Sequence, residues 1–263
     1  MKIKVGHRLG LSIKERIEMN KVTFIRERME MGITSPFICQ VENGQWFVVK
    51  TTAMMPMEQL LAETIGTALA IEIGLPCPPF CFVDIPKQAS EYTSPEWQPM
   101  LPAGLAFASE HIAQAKVAKT VQAKNPRYFP EDLQKLLYMF DRWILNSDRA
   151  ASNIGTGNIN LLFNEWQQKI FVIDHNLAFD ECATFDEHIF APANRDWKLD
   201  WVDKQLFTDK AIDILNNFDH IYQNIPDKWF LLDDENQEID DCISKIKTLL
   251  NRINEEHYWD DIE

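Results

Sequence analysis

Asn146-Ser147-Asp148-Arg149-Ala150-Ala151-Ser152-Asn153, followed after a polar turn by Ile170-Phe171-Val172-Ile173-Asp174, is the stretch on which the reading of this chain turns. It sets an Asp, an Asn five residues on, and a second Asp at the end of an apolar run. Asp148 alone would be an ordinary turn-capping residue after a helix, and Asn153 alone is equally plain. Asp174 is harder to dismiss. The run before it is too apolar to face solvent, and a carboxylate buried there without a partner costs several kcal/mol. A divalent cation would supply that partner; Arg142, Arg149 or a cluster of backbone amides is the structural alternative.

Taken together, the three side chains suit phosphoryl transfer. One carboxylate can orient or deprotonate an acceptor hydroxyl, and an amide and a carboxylate can hold Mg²⁺ against nucleotide phosphates. The spacing D-x-x-x-x-N is that of a protein-kinase catalytic loop, although the His-Arg that usually precedes the Asp is absent here. Arg149 either anchors the loop on a carboxylate or touches a phosphate. His175-Asn176 follow Asp174, and His175 reads as a packed or hydrogen-bonded residue.

Upstream, the pattern is that of a small sheet. Pro36 to Val41 and Gln45 to Lys50 flank Glu42-Asn43-Gly44, whose Asn-Gly favours a tight hairpin turn. Pro56 to Ile73 changes to helical spacing through Leu60, Leu61, Ile65, Ala68, Leu69 and Ile73, and Gly74 and Pro76 stop it. Cys81–Ile85 and Leu105–Ser109 read as strands, with the Pro-rich stretch from Pro86 to Pro102 as a surface loop between them. Lys50 at the end of its strand would by itself snorkel to solvent. Glu63, beside the apolar stripe of the following helix, offers it a carboxylate partner, with Glu58 and Glu72 as competitors.

Downstream the chain is mainly helical. Phe129-Pro130 opens a helix with Leu133, Leu136, Leu137, Phe140, Trp143 and Ile144 on its buried face. Strands over 158–163 and 169–174 follow, and a final amphipathic helix runs through Ile239, Cys242, Ile246, Leu249 and Ile253. The order predicts an α+β fold of two lobes in the manner of protein kinases. Residues 1–111 would form a small β-rich N-lobe and 112–263 a larger helical C-lobe.

Composition sets the outer limits. The 263 residues provide material for one large domain or two packed lobes. The net charge of −14 repels polyanions, which argues against nucleic acid and anionic membranes as partners while leaving room for a nucleotide neutralised by Mg²⁺. No apolar run reaches the roughly 18 residues of a membrane span, and the N-terminus lacks the apolar core of a signal peptide, so a cytoplasmic protein is expected. The five cysteines are scattered, and only Cys77 and Cys81 are neighbours, which reads as reduced core thiols. There is no G-x-x-x-x-G-K-[ST], G-x-G-x-x-G or G-x-S-x-G.

At Asn146–Arg149, Asn153 and Phe171–His175 the chain resembles the HipA-like kinases, bacterial Ser/Thr kinases related in fold to the phosphatidylinositol 3/4-kinases. Thr34-Ser35-Pro36, Phe47–Lys50, Glu63 with Gly74-Leu75-Pro76, Gly104–Ser109 and Ile225–Trp229 are similar to the shorter branch of that family, so the likeness covers roughly residues 20 to 255. The resemblance implies Asp148 as the catalytic Asp and Asn153 and Asp174 as Mg²⁺ ligands. Lys50, aligned by Glu63, would contact the ATP phosphates, and Ser109, Glu110 and Ile112 would meet the adenine along the backbone. It also implies a protein substrate, an antitoxin-like partner, and Thr34 and Ser35 as candidate autophosphorylation sites. The chain departs from the full-length toxins in lacking their small N-terminal subdomain, and from other kinases in having only Gly32 where a Gly-rich phosphate loop would lie. A nucleotide-binding pseudokinase and a small-molecule or lipid kinase are the alternative readings.

Overall fold

The computed structural model describes residues 20–29, 34–150, 159–222, 225 and 236–262. Five strands near the N-terminus close into a barrel in the order β1-β2-β3-β5-β4. These are β1 (Asn20–Arg28), β2 (Phe37–Val41), β3 (Trp46–Lys50), β4 (Phe80–Ile85) and β5 (Gly104–Glu110). The β2–β3 hairpin forms where Asn43-Gly44 places it: Gly44 takes φ +83° and donates its N–H to the Val41 carbonyl at 2.8 Å. Two register shifts break the alternation of β1 against β2, which hides this strand from a period-of-two search. The barrel is shut by a short parallel pairing of Asn20 and Lys21 with Val83 and Asp84.

Helix α1 (Met57–Ile73) follows Pro56 and ends at Gly74, whose φ of +98° lets Gly74 and Leu75 cap the Ile71 and Ala70 carbonyls. The predicted apolar stripe on this helix proves too narrow a description. Every residue from Leu60 to Ala70 is buried, so α1 is a central rod rather than a surface helix.

The stretch from Pro86 to Pro102 also differs from the expected surface loop. It contains α2 (Lys87–Glu91) and a 3₁₀ turn at Gln98–Met100. Trp97 packs edge-on against Phe37 with ring centroids 5.4 Å apart, and Leu101 is fully buried in the barrel core. Proline density fixes chain direction here without keeping the segment out of the interior.

Beyond the barrel, β6 (Ala115–Val117), β7 (Leu161–Asn164) and β8 (Lys169–Val172) form an antiparallel sheet. The helices are α3 (Thr120–Ala123), α4 (Glu131–Trp143), α5 (Trp201–Asn216), α6 (Phe218–Tyr222) and α7 (Asn236–Leu250). Both hairpin strands stop short of the predicted ends because Asn160 and Asp174 take left-handed φ values of +46° and +62°. Two apolar clusters result. One fills the barrel; the other runs from α1 through α4, the β7–β8 hairpin and the C-terminal helices, where the Trp143 indole donates to the Leu250 carbonyl at 2.9 Å. All five cysteines are free thiols.

Candidate active site

Four of the predicted residues are delivered by four different elements. β3 ends at Lys50, which is almost fully buried, with Glu63 of α1 on one side of its ammonium and Asp174, just past β8, on the other. Lys50 Nζ lies 2.9 Å from Glu63 Oε1 and 2.7 Å from Asp174 Oδ1. The competitors are elsewhere: Glu72 is exposed on α1, and Glu58 faces a cavity one turn before Glu63. Glu63 is further fixed by the His175 N–H, which donates to Oε2 at 2.7 Å. His175 is packed, as expected, with its Nδ1 3.2 Å from Thr67 Oγ1.

One cation between two carboxylates sets the electrostatics. Burial alone would strip the Lys50 proton, but Asp174 and Glu63 outweigh it and hold the ammonium charged well above its ordinary range. For Asp174, burial pushes up most strongly, but the charge and hydrogen bond of Lys50, with Arg149 nearby, together outweigh it, so the carboxyl sits below its usual value. A single Lys cannot satisfy both acids equally, and the fully buried Glu63 is pushed upward by desolvation.

Asp148 follows α4 on a loop that a buried polar network immobilises. Arg149 is fully buried, its Nε donating to Asp141 Oδ2 at 2.8 Å and its Nη1 to the carbonyls of Asn160 and Ile173 at 2.6 and 2.9 Å. Asp141 also accepts from Asn146 Nδ2 at 3.2 Å and pairs with His188 Nε2 at 3.0 Å. Of the two roles considered for Arg149, anchoring is the one its position serves. Its guanidinium is sealed from solvent and joins Asp141 to the Asn160 and Ile173 carbonyls.

Asn160 is the residue that sequence reasoning missed. Its Nδ2 donates to Asp148 Oδ2 at 2.8 Å and to the Asp148 carbonyl at 3.0 Å, while its own carbonyl accepts from Arg149 and from the Ile173 N–H at 3.1 Å. It therefore ties the Asp148 loop to the segment bearing Asp174. Asn tolerates the left-handed backbone found there, which is the only signal the sequence carried. Burial and the negative charge of Asp174 raise the Asp148 carboxyl, against the Asn160 hydrogen bond.

The remaining predicted residues fall less centrally. Ser109 is paired on both sides within the barrel, Glu110 gives its N–H to the Pro79 carbonyl at 2.7 Å, and the Ile112 carbonyl accepts from Ala115. Thr34 and Ser35 lie half-buried in the β1–β2 connection, where the Ser35 carbonyl accepts from Arg28 Nε at 3.2 Å. Asn153 and Gly32 lie outside the described residues.

Comparison with known proteins now decides the family, because the HipA-like kinase family model matches residues 22–262. The chain belongs to the HipA-like kinase family. A proinflammatory kinase of Helicobacter pylori, CtkA, is similar in structure with a TM-score of 0.50 and 12% identity, over 90% of this chain and 97% of that one. This HipA-like chain therefore has a kinase-like fold. The open conformation of CtTel1 and the complete CtTel1 dimer each align over 97% of this chain and 12% of that chain, with TM-scores of 0.33 and 0.35 and identities of 13% and 14%. No curated protein is matched.

Among the described residues no three His, Cys, Asp or Glu side chains form a ready-made metal cage. A nucleotide-borne Mg²⁺ asks for less, one or two hard oxygens from the protein with the rest from phosphate and water. The Asp174 carboxylate, still about a quarter exposed at a strained backbone position, fits that demand. Among the described residues no helix is long and apolar enough to cross a membrane.

Proposed function

We propose that this HipA-like chain transfers the γ-phosphate of ATP, with Mg²⁺, to a Ser or Thr hydroxyl of a protein. The observation that carries this reading is Lys50, held between Glu63 and Asp174 at 2.9 and 2.7 Å. An ammonium aligned by a helix Glu and adjacent to a cation-binding Asp is what anchors nucleotide phosphates in kinases. The nucleotide would lie between residues 1–111 and 112–263, with its adenine along the backbone at Ser109, Glu110 and Ile112.

Asp148 does the work at the acceptor. Burial raises its carboxyl above the ordinary range, which makes the carboxylate a better base than a fully solvated Asp. It orients the hydroxyl and takes its proton as the new P–O bond forms and the bond to the β-phosphate oxygen breaks, releasing ADP. Asn160 and the Arg149–Asp141 pair keep that carboxylate aimed. Asp174 and Asn153 would hold Mg²⁺, which when bound neutralises phosphate charge. Thr34 and Ser35 are the hydroxyls we propose for self-modification, and an antitoxin-like protein is the partner consistent with the family.

The test is incubation with γ-labelled ATP and Mg²⁺, with intact-mass measurement and phosphosite mapping. Transfer should occur in the native chain and vanish in Asp148→Asn and Asp174→Ala. Retained transfer in Asp148→Asn excludes the role given to Asp148. Nucleotide-induced thermal stabilisation without transfer to any acceptor would mark a pseudokinase instead.

A further inference from the structure

Beside Asp148 the surface opens into a cavity of about 680 Å³. It is lined by the start of α1 with Glu58 and Ala62, by the loop Asn176–Asp180, by the α7 face carrying Asp241, Cys242, Lys245 and Ile246, and by Ser147 and Asp148. Neither Lys50, Ser109 nor Glu110 lines it, so this space is separate from the one assigned to the nucleotide. Asp148, the group that would hand the acceptor hydroxyl to the γ-phosphate, is one of this cavity's lining residues.

The lining has a definite chemistry. Among the described lining residues the carboxylates of Glu58, Asp148, Asp180 and Asp241 outnumber the one ammonium, Lys245, which pairs with Glu181 at 3.1 Å. Between the carboxylates lies an apolar strip of Ala62, Leu177, Ala178, Phe179 and Ile246, with Leu177 left substantially exposed. We propose that this cavity is the phosphoacceptor groove, and that it takes a polypeptide segment whose Ser or Thr is flanked by Lys or Arg and an apolar residue. The proposal rests on the kinase reading above. Charge complementarity selects the occupant: basic flanks meet the acids of α1 and α7, the apolar side chain covers Leu177 and Phe179, and the hydroxyl reaches Asp148. A lipid headgroup or a free sugar phosphate would bring negative charge into an already acidic space.

The experiment separates binding from transfer. Fluorescent peptides of equal length, each with one Ser and one Leu, carry either Lys/Arg or Asp/Glu beside the Ser. Their binding is read by anisotropy and their phosphorylation with γ-labelled ATP and Mg²⁺. The basic peptide should bind at least about tenfold more tightly at low salt, with the gap narrowing as ionic strength rises. Glu58→Lys with Asp241→Lys should abolish or invert that preference. Should these variants lose their fold by circular dichroism, Glu58→Gln with Asp241→Asn, which removes charge without reversing it, should reduce the gap. Equal binding of both peptides, a preference unmoved by the variants, or spermidine binding as tightly as the basic peptide would each overturn the proposal. Charge-selective binding without transfer would uphold the groove's ligand class and sink the kinase reading. Transfer to the acidic peptide at least as good as to the basic one would do the reverse.

Discussion

Lys50 is the side chain whose removal should be felt in both activity and stability. Deleting one partner of a buried ion network leaves the other charges uncompensated, at about 3–5 kcal/mol. Lys50→Met should therefore abolish phosphate transfer and lower unfolding free energy by that order in chemical denaturation. Its pH dependence follows from the shifts. The Asp174 carboxyl is lowered from its ordinary 3.8, so its contribution is present above that value and fades as pH falls below it. The Lys50 ammonium is raised from its ordinary 10.5, so its contribution is full below 10.5 and is lost as pH climbs through the higher folded-state value. Glu63, already a raised carboxyl in the native fold, loses the lowering influence of the ammonium in Lys50→Met, so acidification should stabilise that variant.

Asn160 gives the second test at this scale. Asn160→Asp keeps a residue suited to left-handed backbone but replaces the donor 2.8 Å from Asp148 by a second carboxylate. We expect kcat to fall about 100-fold with little change in KM for ATP, and the acidic limb of the pH–rate profile to move upward. The Lys50–Glu63 pairing was legible because a strand-end Lys and a stripe-flanking Glu each lacked an obvious destination. Asn160 was not, because its role lies in a carbonyl and an amide that reach back across the catalytic loop, and no spacing records that.

Helix α1 shows what element-level reading recovers and what it loses. Its ends are written in Pro56 and Gly74, but its burial on all sides is not, since the periodicity of apolar residues says where a helix is driest and not how many neighbours enclose it. Gly66 marks one such neighbour. A Cβ there would sit 2.6 Å from the His175 Cβ, in the segment that carries Asp174. A Gly to Ala change in an open helix interior adds about 1 kcal/mol of stability. Gly66→Ala should instead cost about 1–3 kcal/mol through overpacking, and should weaken stabilisation by ATP with Mg²⁺ in thermal denaturation. β1 escaped notice for a related reason: its bulges reset the alternation twice within nine residues.

At the level of the whole molecule, the thiols report on how tightly it is closed. Burial pushes Cys39 and Cys77 up to about 12 and Cys81 to about 11, so at pH 8 these thiols stay protonated and inert. An aromatic disulfide reagent should label exposed Cys182 first, and the buried thiols only on global unfolding. Sequence reading took all five as core thiols, whereas only Cys39 is buried and Cys182 is exposed. It could not place the three-dimensional junction of the barrel. Among the described residues, that ring is clasped on the β4 side by Asn20 and Lys21. Trimming the chain past Lys21 would unclasp it into a ribbon with a raw hydrogen-bonding margin along Phe80–Ile85, able to recruit the same margin of a second molecule. Such a shortened protein should run as a concentration-dependent dimer in sedimentation, a self-association that a few clipped residues would switch on.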